Sequence, residues 1–232
     1  MFGALWVVFN PLVMLAIFAL VFGHIFQSRW PQENAGLPYW LNLYIGLIVF
    51  NVFSETVSRS PSAVRSYPSF VKKIIFPVII LPVVPLGAAL VQGLISFLIL
   101  FAALIWADRF SSGVLLLPLL LIPAMLLALG ISWFISAWGV FMKDLTQVVP
   151  ILMQMLMFLS PVLYPINAVP SQLRPIYQYN PLASVIDASR AAVVHQSVDW
   201  PAWTISLVVG VVVLIIGYSF FQASREEFAD VL

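Results

Sequence analysis

The chain has 232 residues, with 10 Lys+Arg and 9 Asp+Glu, so only 8% are charged while 62% are hydrophobic and the mean hydropathy is +1.07. So few charges cannot cover a soluble surface, and the high apolar content excludes a disordered chain; what remains is a polytopic membrane protein. The absence of cysteine excludes a disulfide framework, a thiolate metal site and a Cys nucleophile, and a net charge of +1 offers nothing to nucleic acid.

A helix needs about 20 mostly apolar residues to cross the hydrocarbon core. The first such stretch covers residues 3–26, interrupted by Asn10-Pro11 and His24. It is longer than a secretory h-region and lacks a basic flank and a small-residue cleavage site, which argues against a cleaved signal peptide. The second covers 39–57 and degrades into Ser54, Glu55 and Thr56; the third covers 76–106, with Pro77, Pro82 and Pro85 in its first third. The fourth, fifth and sixth cover 114–142, 148–163 and 203–221. The expected fold is all-α: one transmembrane domain over 1–232 with six membrane-spanning helices and both termini on the same side. The alternating pattern of an outer-membrane barrel is absent.

Between the second and third spans, residues 58–75 hold Arg59, Arg65, Lys72 and Lys73 with no acid. By the positive-inside rule this loop is cytoplasmic, and so are both termini. Lys143 and Arg225 then join the inside, while Arg29, Arg109, Arg174 and Arg190 fall outside. Residues 164–201 form an outer region rich in proline. Within it, 182–194 are apolar but too short to cross, which fits a helix that dips into the outer face and returns. Asp187 and Arg190 are spaced to pair on one helical face, as a structural ion pair. Tyr164, Tyr177 and Tyr179 suit either sugar rings or the membrane interface.

Small residues at 124, 128, 132 and 136 line one face of the fourth span, for a subunit interface or for packing within the chain. The prolines of the third span imply either a broken helix near the cytoplasmic face or a kink at the interface. Met153, Met155 and Met157 scatter around the fifth span as adaptable packing. Glu55 is the best candidate for an intramembrane charge. Asn10, Asn42, Asn51, Gln92 and Gln154 are polar but neutral, which argues against proton or sodium coupling. No phosphate-binding loop, H-E-x-x-H or G-x-S-x-G motif occurs, and two histidines, His24 and His195, are too few for a His-based metal site.

Several segments in order carry a family likeness: LWVVFNPL (5–12), FVKKIIFP (70–77), MKDLTQVVP (142–150), LSPVLYP (159–165), YNPLASVIDASRAAV (179–193) and FADVL (228–232). Together they resemble the permease subunit of a bacterial ABC exporter of the ABC-2 type, in its polysaccharide branch. The resemblance implies a non-enzymatic half-transporter of the bacterial cytoplasmic (inner) membrane that forms a homodimer. Two cytoplasmic nucleotide-binding ATPase subunits would dock on it, and ATP and Mg would bind there, with no cofactor or metal on this chain. Docking is implied at a coupling helix around Arg59, Arg65, Lys72 and Lys73, with Lys143 and Asp144 in the short turn before the fifth span. A channel lined by aromatic and polar residues is implied between the permeases. Its outer gate falls in the re-entrant region, at Tyr164, Pro165, Tyr177, Tyr179, Asn180, Pro181, Asp187 and Arg190. The implied substrate is a lipid-linked polysaccharide: O-antigen first, teichoic acid or capsule as alternatives. The family's basic amphipathic helix before the first span has no counterpart after Met1, as expected of a trimmed start. Competing readings are an ABC-2 permease for a small drug or lipid, an ATP-independent carrier or channel, and a membrane-embedded sugar transferase. The last would need positioned acids, and Glu55 alone is a poor candidate.

Overall fold

The computed structural model describes residues 3–21, 37–71, 76–165, 169–172, 174–194 and 196–231. All regular structure among them is helical. The long elements are α1 (Gly3–Phe18), α2 (Tyr39–Ala63), α4 (Val83–Trp106), α6 (Ile122–Phe141), α7 (Leu145–Leu159), α9 (Pro181–Val193) and α10 (Trp200–Ser224). The short ones are α3 (Pro68–Val71), α5 (Leu117–Leu120), α8 (Arg174–Gln178) and α11 (Phe228–Val231).

The helices stand side by side in the order α1, α4, α2, α6, α10, with α7 and α9 laid on α2. α2 is the central post. Every residue from Leu41 to Phe50 is buried, including the polar Asn42. Its inner face joins Leu43, Phe50 and Phe53 to Ala124, Leu127 and Ala128 of α6 and to Leu182, Val185 and Ile186 of α9. Lipid tails are as apolar as leucine, so burial alone does not hold such helices together; close packing and interhelical hydrogen bonds do.

Both devices are visible on α6. The small-residue row Ala124, Ala128, Ser132 and Ser136 is buried within the chain. Ser136 donates to Ser60 O on α2 at 2.8 Å, and Ser132 donates to Pro82 O before α4 at 2.8 Å. This face is therefore an internal seam and not a subunit interface. The opposite side of α6 meets α10 through glycine. A Cβ on Gly130 would lie 2.5 Å from Val213 O, and one on Gly217 would run into Gly130 O.

Prolines that break the helical ladder are answered by neighbours. Pro11 has no N–H for the carbonyl four residues back, and that carbonyl, Val7 O, accepts from Gln92 Nε2 of α4 at 3.1 Å. Pro77, Pro82 and Pro85 fall in an interrupted approach to α4. A 3-10 turn spans Val78–Ile80, Pro82 is the N-cap, and Pro85 sits in the first turn, where no intrahelical donor is needed. Trp133 of α6 supplies the missing donor to Ile79 O, at 3.0 Å. The third span is thus a broken helix whose break is satisfied by α6.

Among the described residues, four of the six expected spans are long and apolar enough to cross a membrane: Tyr39–Ala63, Val78–Trp106, Ser112–Phe141 and Trp200–Glu227. The described parts of the other two are shorter apolar helices, Trp6–Val21 and Leu145–Leu159, and residues 22–26 of the first expected span lie outside the described residues. At the helical rise α7 is only about 22 Å long. α2 continues through Pro61 to Ala63 rather than ending at 57, so the first residues given to the 58–75 loop are helical. Gly217→Ala is expected to cost about 1–3 kcal/mol, read as earlier unfolding in an SDS titration; an unchanged midpoint would show that α10 can shift away from α6.

Candidate functional site

A cleft of about 590 Å³ runs between α1, α2 and α4. Its α2 wall repeats at helical spacing, Tyr44, Ile48, Asn51, Glu55 and Arg59, a face about 22 Å long. The N-terminal part of that face is mainly apolar and the C-terminal part is polar. Asn10 of α1 and Asn51 of α2 are both exposed into it, and Gln92 and Ser96 line the α4 wall. At the C-terminal end of α2 Arg59 Nη2 meets Glu55 Oε1 at 2.6 Å, with the two side chains 58% and 25% exposed. Trp6, Met14, Phe18 and Met157 complete the walls with broad, adaptable apolar surface. Exposed amides and an ion pair within a membrane span are costly against hydrocarbon and belong beside water or a polar occupant.

The outer end is built differently. Asn180 caps α9, its side chain accepting from Leu182 N at 3.0 Å, and Pro181 takes the first helical position, where proline fits. α9 then presents Arg190 inward, at 1% exposure. Its Nε donates to Asn42 O of α2 at 3.0 Å, and Nη1 and Nη2 donate to Pro161 O and Val162 O, each at 2.7 Å. Gly46 makes the room: a Cβ there would lie 2.6 Å from Arg190 Nη2. Asp187 stands 3.6 Å from Nη1 but is 44% exposed, a loose partner beside three carbonyls. Around this staple, Tyr39 donates to Leu163 O at 2.6 Å, and Asn180 Nδ2 donates to Ser160 Oγ at 2.9 Å. The Tyr164 hydroxyl donates to Phe158 O and lies 2.8 Å from the Tyr177 hydroxyl. Burial, with Tyr177 against it, pushes the Tyr164 phenol up from its ordinary value.

Residues 1–194 of the chain match the family model described as ABC-2 type transporter. The chain belongs to the ABC-2 type transporter family. Its relatives include the O-antigen export system permease protein RfbA of Klebsiella pneumoniae, 26% identical over 100% of this chain and 88% of that protein. The Myxococcus xanthus protein of the same name is 25% identical over 98% of this chain and 87% of its own length. The polysialic acid transport protein KpsM of Escherichia coli is 28% identical over 82% of this chain and 73% of its own length. A multi-pass membrane subunit of a transporter is therefore the frame for the residues singled out from the sequence.

Within that ABC-2 frame the expected docking residues separate. Arg59 lies on α2, paired with Glu55 where the groove meets the C-terminal part of that helix, and not in a free loop. Arg65 is in the turn just after α2, half-buried. Lys143 and Asp144 are exposed in the turn between α6 and α7. Lys72 and Lys73 lie outside the described residues, as do His24, Arg29 and His195. The expected outer-gate residues are brought together, but most are tied down. Tyr164 and Tyr177 bond each other, Asn180 and Pro181 start α9, Arg190 is a buried staple, and Pro165 is half-buried. Tyr179 stands 87% exposed, and the half-exposed Asp187 is held loosely by its pair with Arg190. Met157 faces the groove while Met155 points outward, the scatter expected around one helix.

The groove's α2 wall was not singled out by sequence reasoning, which noted Asn51 only as a neutral polar residue. The signal was present: Asn51, Glu55 and Arg59 recur every four residues. Arg190→Lys keeps the charge but cannot reach three carbonyls, and is expected to destabilise the chain by about 2–5 kcal/mol. Asp187→Asn, at a half-exposed site, is expected to cost under about 1 kcal/mol. Equal losses for the two in an SDS unfolding titration would show that the ion pair, not the carbonyl staple, holds the outer end.

Proposed function

We propose that this chain is the permease subunit of an ATP-driven exporter that moves a lipid-linked polysaccharide, of the O-antigen class, across the bacterial cytoplasmic membrane. The observation that carries the reading is end-to-end similarity to O-antigen export permeases of two different bacteria. The groove supports it: Asn51, Ser54 and the Glu55–Arg59 ion pair on α2, with Asn10 of α1 lining the same cleft, suit successive hydroxyl groups of a sugar chain better than a small apolar drug. Aromatic and methionine walls add surface that adapts to sugar rings of different shape.

In this reading two copies pair with their grooves toward a shared path. α1 and α7 leave apolar faces open, with Phe9, Ile151, Met155 and Phe158 exposed, surface that a second copy would cover. Paired in this way, the short α1 and α7 serve as the first and fifth of six passes, α9 is the re-entrant helix of the outer face, and both termini are cytoplasmic. Two ATPase subunits, which hold ATP and Mg, dock on the loop after α2 and on the Lys143–Asp144 turn. Their closure on ATP pushes these elements, and the push travels along α2, α4 and α6 to the outer end. The permease itself binds, positions and moves the polymer without making or breaking covalent bonds.

Co-purification of this chain with the ATPase encoded beside it, then ATP hydrolysis in lipid nanodiscs, tests the whole reading. A stable complex of two permeases and two ATPases is expected; a chain that retains no ATPase would make it an ATP-independent carrier or channel. Replacing Arg65 and Lys72 together by Glu is expected to abolish export while the permease stays folded, and intact export in that double mutant would sink the docking assignment. Among the described residues the Asn51 side chain makes no hydrogen bond, so Asn51→Leu is expected to lower polymer export several-fold with no loss of thermal stability; unchanged export would take the groove off the path.

A further inference from the structure

The cytoplasmic end of the bundle is closed by a separate hydrophobic cluster. Val64, Leu81, Ala137, Val140, Phe221 and Phe228 are its buried members, with Phe76 packed on its edge. Its composition is unusual in chain order. Val64 is the C-cap of α2, within the basic 58–75 segment, and Phe76 directly follows that segment. Both roots of the loop therefore sit in one cluster.

The wedge in that cluster is the C-terminal tail. α10 could run on into solvent. Instead a 3-10 turn at Arg225–Glu227 turns the chain back, and α11 begins with Phe228, which has no exposed surface. The Phe228 ring meets Phe221 edge-on at 5.4 Å and Phe141 at 6.1 Å. Phe141 is the last residue of α6, directly before the turn that carries Lys143 and Asp144. One aromatic ring from the tail thus lies against the root of one expected docking element and shares a closed cluster with both roots of the other. Glu226 and Glu227 stay exposed on the turn, so the tail's polar side faces water while its aromatic side is buried.

We infer that the tail, residues 225–231, is a working part of the cytoplasmic coupling platform, with Phe228 as a positioning residue that locks the basic loop and the 142–144 turn into one rigid unit. A loop rooted in a loose cluster would absorb a push locally. With Phe228 in place, displacement of the loop moves the base of α2, the approach to α4 and the end of α6 together, because a packed cluster transmits strain rather than deforming. The inference rests on the exporter reading and on docking at those two elements.

The test uses the full permease–ATPase complex in nanodiscs, with lipid-linked O-polysaccharide extracted from the host cells as the transported probe. Three quantities are read: ATPase retained, ATP hydrolysed, and polymer exported per ATP. Phe228→Ala is expected to retain the ATPase and its hydrolysis while export per ATP falls about three- to thirtyfold. Phe228→Leu, which refills most of the wedge, is expected to recover most of that loss. A truncation after Ser224 removes the same wedge without a small residue inside a closed cluster, and is expected to match Phe228→Ala. Normal export per ATP in either inserted variant overturns the inference. So does failure of both to insert, which would make the tail a folding element alone. If the unaltered complex retains no ATPase, the exporter reading fails instead, and the tail is not what was tested.

Discussion

The structure turns on a buried guanidinium. Arg190 carries a full charge into the packed region around the start of α2, where its acidic neighbour Asp187 is loosely held. An uncompensated charge there would be prohibitive. Three backbone carbonyls, from the first turn of α2 and from the turn after α7, take its donors instead. That choice sets the geometry around it. α9 must lie flat against α2, α7 must end at Ser160, and residue 46 must be glycine so that the planar fork can reach past the helix. Carbonyls of an irregular turn left bare in a membrane would be costly too, so each half of the arrangement supplies what the other lacks.

The same logic recurs at the other breaks in helical regularity. Pro11 frees a carbonyl and Gln92 answers it; the interrupted approach to α4 is answered by Ser132 and Trp133. These bonds join different helices, so each departure from ideal helix also ties two elements together. In a bilayer, where burial of apolar surface drives little association, such ties and the glycine contacts of α6 with α10 carry the fold. The groove is the contrast. There, Asn10, Asn51 and an ion pair remain exposed rather than satisfied by a neighbouring helix, which separates a surface built to meet something from one built to hold together.

Function and fold meet at the two ends of α2. Its N-terminal half is buried on nearly every side and locked by Arg190, while its C-terminal half carries the polar face and ends in the cluster under the basic loop. α2 is thus fixed at one end by a charge and at the other by packed rings. That arrangement also explains why α2 is the least hydropathic of the four long spans, at 1.3 against 2.4 to 2.7: it faces protein and groove, so it needs less lipid-compatible surface.

Composition and the run lengths of apolar residues were enough to establish an all-helical membrane protein, because hydrocarbon permits few other solutions. The order of short segments was enough to indicate the ABC-2 family, and the short helix at 182–194 was legible from its length and its Asn-Pro start. Other features needed the tertiary structure. Whether the small-residue row of α6 met another subunit or α2 depended on which helices are neighbours, and spacing along one helix carries no such information. Arg59 looked like a loop residue because the apolar run degrades at Ser54, Glu55 and Thr56, yet α2 continues through Pro61 to Ala63, with Gly139 of α6 close against the Pro61 backbone. Arg190 looked like half of an ion pair because Asp187 is three residues away, and only the folded chain brings it carbonyls from residues 42, 161 and 162. Sequence records what each segment prefers by itself; a buried charge or an orphaned carbonyl is settled by whichever distant segment can reach it.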